Sequence, residues 1–217
     1  MARPECERCK RPQTRCLCAL IPHLHCRTRV LILQHSSEAG HALNTARLAA
    51  LGLDNAQLEV GETFSQLEDW LALPGYRPCL LFPGDEAVPV ADFAQAAVAT
   101  PLLLVVPDGT WRKARKLLYC NPLLQALPRI TLPSGLSSRY RLRKAPEPGA
   151  LSTIEAIVVA LEAIEKSALF GELLRPFEAL IEGQIAAMGA ETYQRNHACG
   201  AATAAPETGP DSPEQAD

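Results

Sequence analysis

The chain lacks any long hydrophobic run: no stretch approaches the roughly 20 apolar residues that a membrane helix requires. Its first residues also lack the apolar core of a secretion signal, so the expected setting is the cytoplasm, without membrane association. Neither G-x4-G-K-[ST] nor G-x-G-x-x-G occurs, which disfavours a P-loop nucleotidase and a dinucleotide-binding Rossmann site. There is no internal repeat and no heptad pattern, which excludes a solenoid or a coiled coil. Net charge is scant as well, −3 over 217 residues. The segment 201–217 has no Lys or Arg but carries Glu207, Asp211, Glu214 and Asp217, and removing those four acids leaves +1. Overall charge therefore excludes no partner, and the placement of charge must carry the argument.

What is present describes a globular protein, 47% hydrophobic and 21% charged, long enough to bury one core. Short apolar runs at 29–34, 57–60, 79–82, 102–106 and 129–132 read as strands, several apolar throughout as in strands covered on both faces. Helical patterns at 42–51, 65–73, 90–99 and 111–127 alternate with them, and Ser65-x-x-Glu68 has the form of a capping box. This order predicts an α/β fold, a mostly parallel sheet with flanking helices and ligands at the carboxyl ends of the strands. Pro83, Gly84 and Asp108 fall at such ends. A helix with a second capping box opens at Ser152-Thr153-Ile154-Glu155, and a final helix runs from about Phe177 to Tyr193.

Three clusters carry chemistry. Cys6, Cys9, Cys16 and Cys18 form C-x2-C-x6-C-x-C in a segment with few apolar residues, where four thiolates around Zn would impose order that burial does not. A disulfide pair is the competing reading, disfavoured in a cytosolic chain; His23, His25 and Cys26 are close enough to replace one ligand. Cys79, Cys120 and Cys199 are scattered and read as core or surface residues.

Asp108-Gly109-Thr110-Trp111 closes an apolar strand and opens a basic helix with Arg112, Lys113, Arg115 and Lys116. It reads either as a helix N-cap or as a reactive carboxylate at a strand end. Arg139, Arg141 and Arg143 alternate with Tyr140 and Leu142, so an extended chain presents three guanidinium groups on one side. That ladder reads equally as a solvated edge strand or as a grip on phosphate or carboxylate. His35, after Gln34 and before Asn44-Thr45, reads as a polar residue at a strand end.

The ordered set Cys6-x2-Cys9-x2-Pro12-x3-Cys16-x-Cys18, Asp108-Gly109-Thr110-Trp111, then Ser138, Arg139, Arg141 and Pro146 leading to Leu151-Ser152-Thr153-x-Glu155-Ala156, resembles the DTW-domain family. Ser36 departs from that family, whose members often have proline after the histidine of the first strand. The resemblance implies a tRNA-uridine aminocarboxypropyltransferase related to the SPOUT-type RNA methyltransferases. Such an enzyme moves the 3-amino-3-carboxypropyl group of S-adenosylmethionine to N3 of a uridine in tRNA and releases methylthioadenosine. It further implies a SPOUT-like fold with a trefoil-type knot within about residues 102–166.

On that basis Asp108 is the expected catalytic base. The cofactor residues are Pro83, Gly84, Gly109, Thr110, Trp111, Arg141, Ser152, Thr153 and Glu155, with Arg141 on the methionine carboxylate. Arg112, Lys113, Arg115, Lys116, Arg139 and Arg143 are expected to meet RNA. The expected organisation is a zinc-binding segment at residues 1–27, a catalytic domain at 28–197 and a disordered acidic tail at 198–217. An RNA methyltransferase and a non-catalytic zinc-containing RNA-binding module remain the alternative readings, and monomer and homodimer are both open.

Overall fold

The computed structural model describes residues 4–96, 100–140, 142, 150–189 and 191–193. Six strands form one sheet: β1 (Arg29–His35), β2 (Ala56–Gly61), β3 (Arg77–Leu81), β4 (Val88–Pro89), β5 (Leu102–Asp108) and β6 (Arg129–Thr131). Their spatial order is β2-β1-β5-β3-β6-β4, and every neighbouring pair is parallel. The helices are α1 (Ala46–Gly52), α2 (Leu67–Leu71), α3 (Val90–Ala96), α4 (Trp111–Cys120), α5 (Pro122–Gln125), α6 (Thr153–Glu165) and α7 (Leu174–Met188).

Side chains alternate across a strand, so each central strand feeds two cores. Val30 and Ile32 of β1 join Leu102, Leu104 and Val106 of β5 beneath α1, α3, α6 and α7. Leu31, Leu33, Leu103 and Val105 face the other way, toward Leu67 of α2, Leu118 of α4 and Leu124 of α5. This two-sided burial explains why β1 and β5 are apolar throughout rather than alternating. The cysteine-bearing segment also contributes, since Leu17, Leu24 and Cys26 are buried in the first of these cores.

The connections reverse direction between β1 and β5. From β1 the chain moves outward to β2, whereas from β5 it passes through α4 and α5 to β6 on the opposite side. The carboxyl ends of β1 and β5 therefore flank the switch point, where ligand crevices open in sheets of this kind.

Several expected boundaries moved for local reasons. The helix expected at 111–127 breaks at Asn121 (φ −130°, ψ 83°), because Pro122 drives its predecessor out of the helical region and starts α5. No capping box forms at Ser65 and Glu68: α2 begins at Leu67 after Gln66 and has no side-chain cap. Arg139 and Tyr140 lie in irregular chain rather than an edge strand. The alternation still holds there, with Tyr140 packed edge-on against Phe177 at 5.6 Å and Arg139 paired to Glu178. The two-residue edge strand β4 had no signal in the sequence, and the final helix ends at Gly189 (φ 86°), a backbone conformation suited to glycine. Residues 198–217 and part of the span expected to be knotted lie outside the described residues.

Leu104 is fully buried in the central strand. Leu104→Ala should cost about 2–5 kcal/mol in urea denaturation, whereas Val60→Ala, on an exposed site, should stay within about 0.5 kcal/mol. Equal midpoints for the two variants would contradict the burial described.

Candidate active site and metal centre

Gln34 and Asp108 are register partners at the ends of β1 and β5. Their even spacing from Ile32 and Val106 turns both onto the face covered by α1 and α6, so two polar residues meet at the rim of an apolar core. Gln34 Nε2 donates to Asp108 Oδ2 at 2.7 Å, and the Thr153 hydroxyl at the start of α6 donates to Oδ1. Gln34 is completely buried and Asp108 only 8% exposed.

Gln34 is itself held by Asn44. Gln34 Nε2 donates to Asn44 Oδ1 at 3.1 Å, and Asn44 Nδ2 donates back to Gln34 Oε1 at 3.2 Å. Asn44 Oδ1 also accepts from Arg47 N, closing the first turn of α1. The Asn44 carbonyl receives Arg11 Nη2 at 3.1 Å, so hydrogen bonds run unbroken from the cysteine segment to Asp108.

A cavity of about 420 Å³ opens beside this network at the ends of β3, β5 and β6. Pro83, Gly109, Trp111 and Thr153 line it, as does Arg115 from α4. Asp108 is not part of that wall, but it bonds to Thr153 and lies between Pro107 and Gly109, all three of which are. The size falls in the ordinary range for a small-molecule site, roughly 300–1,000 Å³. Trp111 stands edge-on to Phe82 at 5.8 Å. Gly109 has no room for a side chain: a Cβ there would lie 2.9 Å from Lys113 Cβ.

The remaining expected site residues are distributed as follows. Thr110 is the N-cap of α4, its Oγ1 accepting from Lys113 N at 3.4 Å, so the capping role belongs to Thr110 and not to Asp108. Gly84 lies against the Arg129 guanidinium. Ser152 and Glu155 form the capping box of α6. Glu155 Oε2 accepts from Ser152 N and Oγ and from Ser138 Oγ, while Oε1 accepts from Arg139 N at 2.6 Å, so this carboxylate buckles the preceding loop to the helix. Lys113 pairs with Glu38 and Lys116 with Glu62, each at 2.6 Å; Arg112 is exposed, and Arg115 faces the cavity. The Lys116 hydrogen bond holds the Glu62 carboxyl below its usual range. Arg141 and Arg143 lie outside the described residues.

His35 Nδ1 accepts from Ser37 N at 3.3 Å, which leaves Nε2–H to meet Glu62 Oε1 at 3.1 Å. Its role is to cap the turn at Ser36–Glu38, as expected of a strand-end residue. Sequence reasoning passed over Gln34, Asn44 and Arg11. The available signal was Gln34 itself, an uncompensated amide at the end of an otherwise apolar strand.

The Sγ atoms of Cys6, Cys9, Cys16 and Cys18 all lie within 4.8 Å of one another, with Cys6–Cys18 at 3.6 Å and Cys9–Cys16 at 3.8 Å. Four sulfurs about 2.3 Å from a common tetrahedral centre would be spaced by about 3.8 Å, so the donor set fits a metal ion. Lys10 adopts φ 55° just after the second cysteine, and its N–H returns to the Cys6 carbonyl at 2.8 Å. Backbone N–H groups of Cys9 and Arg8 pull the Cys6 thiol down to about 6, whereas burial and the neighbouring sulfurs push Cys18 up to about 12. A cation at the centre removes the mutual repulsion that opposes ionising all four. His25 pairs instead with Asp54 at 2.6 Å, and Cys26 Sγ donates to the Thr28 carbonyl at 3.0 Å, so neither joins the cluster. Burial pushes the Cys79 thiol up to about 12, which fits a core role.

A parallel α/β sheet with a nearly buried carboxylate beside its switch-point crevice, and a four-thiol cluster tied to it, defines an α/β protein with a ligand-sized cavity and an appended cysteine cluster that fits a metal ion. The DTW-domain model matches residues 3–185, and the chain belongs to that family. It is 36% identical over 191 residues to tRNA-uridine aminocarboxypropyltransferase 2 of Macaca fascicularis, covering 84% of this chain and 64% of that protein. The enzyme of the same name from Drosophila melanogaster is 32% identical over 194 residues, covering 84% of this chain and 76% of that protein. Identity to tRNA-uridine aminocarboxypropyltransferase A of Arabidopsis thaliana is 28%, covering 74% of this chain and 72% of that protein. The chain thus spans just under two thirds of the macaque relative's length. No solved structure matches the chain.

Two outcomes follow from this geometry. Elemental analysis should find about one metal ion per chain, lost in Cys16→Ser and retained in Cys79→Ser and Cys120→Ser; a metal-free wild type would refute the centre. Gln34→Leu removes a donor to a buried carboxylate and should cost about 1–3 kcal/mol. Gln34→Glu sets two carboxylates together and should cost more near neutral pH, with the deficit shrinking in acid as one of them protonates. Thermal denaturation across pH reads the difference.

Proposed function

We propose that this protein transfers the 3-amino-3-carboxypropyl group of S-adenosylmethionine to N3 of a uridine in tRNA, in the cytoplasm. The observation that carries this reading is Asp108, a carboxylate fixed by two donors at the edge of a ligand-sized cavity in a chain of the DTW-domain family. The named relatives supply the reaction class.

The chemistry balances simply. A bond forms between uracil N3 and the carbon of the aminocarboxypropyl chain that bears the sulfonium, the carbon–sulfur bond breaks, and methylthioadenosine leaves with the electron pair. Asp108 receives the N3 proton, and Thr153, on the cavity wall, places the uracil edge. Three carbons are attached to the sulfur, so the outcome depends on which of them faces N3, and orientation must select it. A cation on the methionine carboxylate provides that selection. Arg115 stands on the cavity wall for this role, and the family resemblance adds Arg141 as its partner. Trp111, Pro83 and Gly109 wall the cofactor, with Gly84 and Thr110 their chain neighbours; Ser152 and Glu155 hold the α6 terminus in place.

Arg112, Lys113, Lys116, Arg139 and Arg143 face the RNA. Lys116 and Arg139 exchange their exposed carboxylate partners for phosphate at small cost, and Lys113 gives up its half-buried pair with Glu38. Zn is the metal assigned to Cys6, Cys9, Cys16 and Cys18, ordering the segment 1–27 against a catalytic domain at 28–197, with 198–217 an acidic tail. The SPOUT-like relationship and its trefoil-type knot belong to the same reading. No helix among the described residues is long and apolar enough to cross a membrane.

Incubation with S-adenosylmethionine and undermodified tRNA should give aminocarboxypropyl-uridine and methylthioadenosine in equal amounts. Asp108→Asn should lower kcat by about 100-fold or more, and Arg115→Ala should chiefly weaken cofactor binding. Formation of S-adenosylhomocysteine in place of methylthioadenosine would make the protein a methyltransferase. Equal product from Asp108→Asn and wild type would remove the base.

A further inference from the structure

A second cavity, about 600 Å³, lies on the other side of the Gln34–Asn44 pair, between the cysteine segment, α1 and α7. Four cationic side chains line it: Lys10, Arg11 and Arg15 from the cysteine segment and Arg47 from α1. His41 is also in the wall, and Glu5 is its one carboxylate. Among the described residues no ion pair engages Lys10, Arg15 or Arg47. This contrasts with α4, where Lys113 and Lys116 already have carboxylate partners.

Arg11 is the fixed member of the group. Its Nη1 donates to the Ala42 carbonyl at 2.6 Å and its Nη2 to the Asn44 carbonyl, while Nε is buried without a partner. The two backbone bonds hold the guanidinium in place where Arg11 lines the cavity, so it presents a fixed positive charge there.

Charge decides which anion fits. Four thiolates around a divalent ion carry a net −2, which together with Glu5 leaves the surroundings of the cavity only weakly positive. A polyphosphate would be poorly compensated there, but a single phosphodiester, with one charge and two oxygens for a guanidinium fork, is matched. Apolar atoms of Leu17 and Leu180 complete a wall against which a sugar can rest. Position decides the rest. Asn44 lines this cavity and is two hydrogen bonds from Asp108, so a phosphate bound here belongs to a nucleotide close to the one that reacts.

We propose that this second cavity is the subsite for a backbone phosphate of the RNA strand flanking the target uridine, with Arg15 and Arg47 as the mobile ligands and Arg11 as the fixed one. This rests on the tRNA reading above and adds a location to it. The test uses the full-length, metal-loaded protein and a labelled tRNA transcript, titrated by fluorescence anisotropy from about 50 to about 200 mM salt. The double variant Arg15→Ala/Arg47→Ala should flatten the slope of log affinity against log salt by about 0.7–0.9, the loss of one neutralised phosphate, with metal content and S-adenosylmethionine affinity unchanged. Arg15→Lys/Arg47→Lys, which keeps both charges, should restore most of the slope. A wild-type slope and affinity in the alanine pair would overturn the subsite while leaving the transferase assay untouched. Absence of salt-dependent tRNA binding by the wild type would defeat the RNA reading and the subsite together.

Discussion

A carboxylate held almost out of water at the junction of β1 and β5 is the constraint on which the rest of the molecule turns. An isolated charge in that position would cost several kcal/mol, so it persists only if donors are brought to both oxygens. Gln34 supplies one because parallel pairing places it opposite Asp108; Thr153 supplies the other because α6 begins at that point. Each donor must in turn be aimed. Asn44 fixes the Gln34 amide, and the Glu155 capping box sets where α6 starts, so the satisfaction of one side chain dictates the placement of three segments far apart in sequence.

Two cavities flank that arrangement. On the side of α4 and β6, the crevice is walled by Trp111, Pro83 and Leu132, with Arg115 as its described cation. Toward α1 and the cysteine segment, the wall carries Lys10, Arg15 and Arg47. A cavity with one described cation suits a small zwitterionic or cationic molecule, whereas clustered cations with no ion-pair partner among the described residues suit a phosphate backbone. Asn44 lines the second cavity and reaches Asp108 through Gln34, and the two cavities share no lining residue.

Much of this was legible in the sequence, and the failures have physical causes. Uninterrupted apolar runs in β1 and β5 announced a sheet covered on both faces, and the cysteine spacing announced a cluster because local chain geometry alone brings the sulfurs together. Asp108 was legible as a strand-end carboxylate. Gln34 stood out as a lone amide ending an apolar strand, but its pairing with Asn44 did not, since an amide pair has no spacing rule and its partners are fixed only by the fold. Arg115 was read with its neighbours as part of a basic surface, but helical rotation turns it to the cavity while Lys113 and Lys116 turn to acids on other segments. The break at Asn121 was visible in Pro122 and is a lesson in weighting proline above apolar periodicity. Ser65 shows the converse, a capping pattern with no helix placed to use it.

The cysteine centre belongs to the same chain of constraint. Only a few apolar residues of its segment reach the core, and its four thiols are grouped closely enough for one metal ion to cross-link them. Arg11 sits directly after that turn and donates into the Ala42 and Asn44 carbonyls, at the point where the chain enters α1. If the segment came loose, Asn44 would lose its outer anchor, Gln34 its reciprocal partner, and Asp108 the rigidity of one of its two donors. The four-thiol segment at the periphery and the carboxylate are therefore linked by hydrogen bonds through Asn44 and Gln34. A site that needs an anion held in one orientation gains from an anchor outside its own core, because a hydrogen bond can aim a carboxylate only as well as its donor is itself aimed.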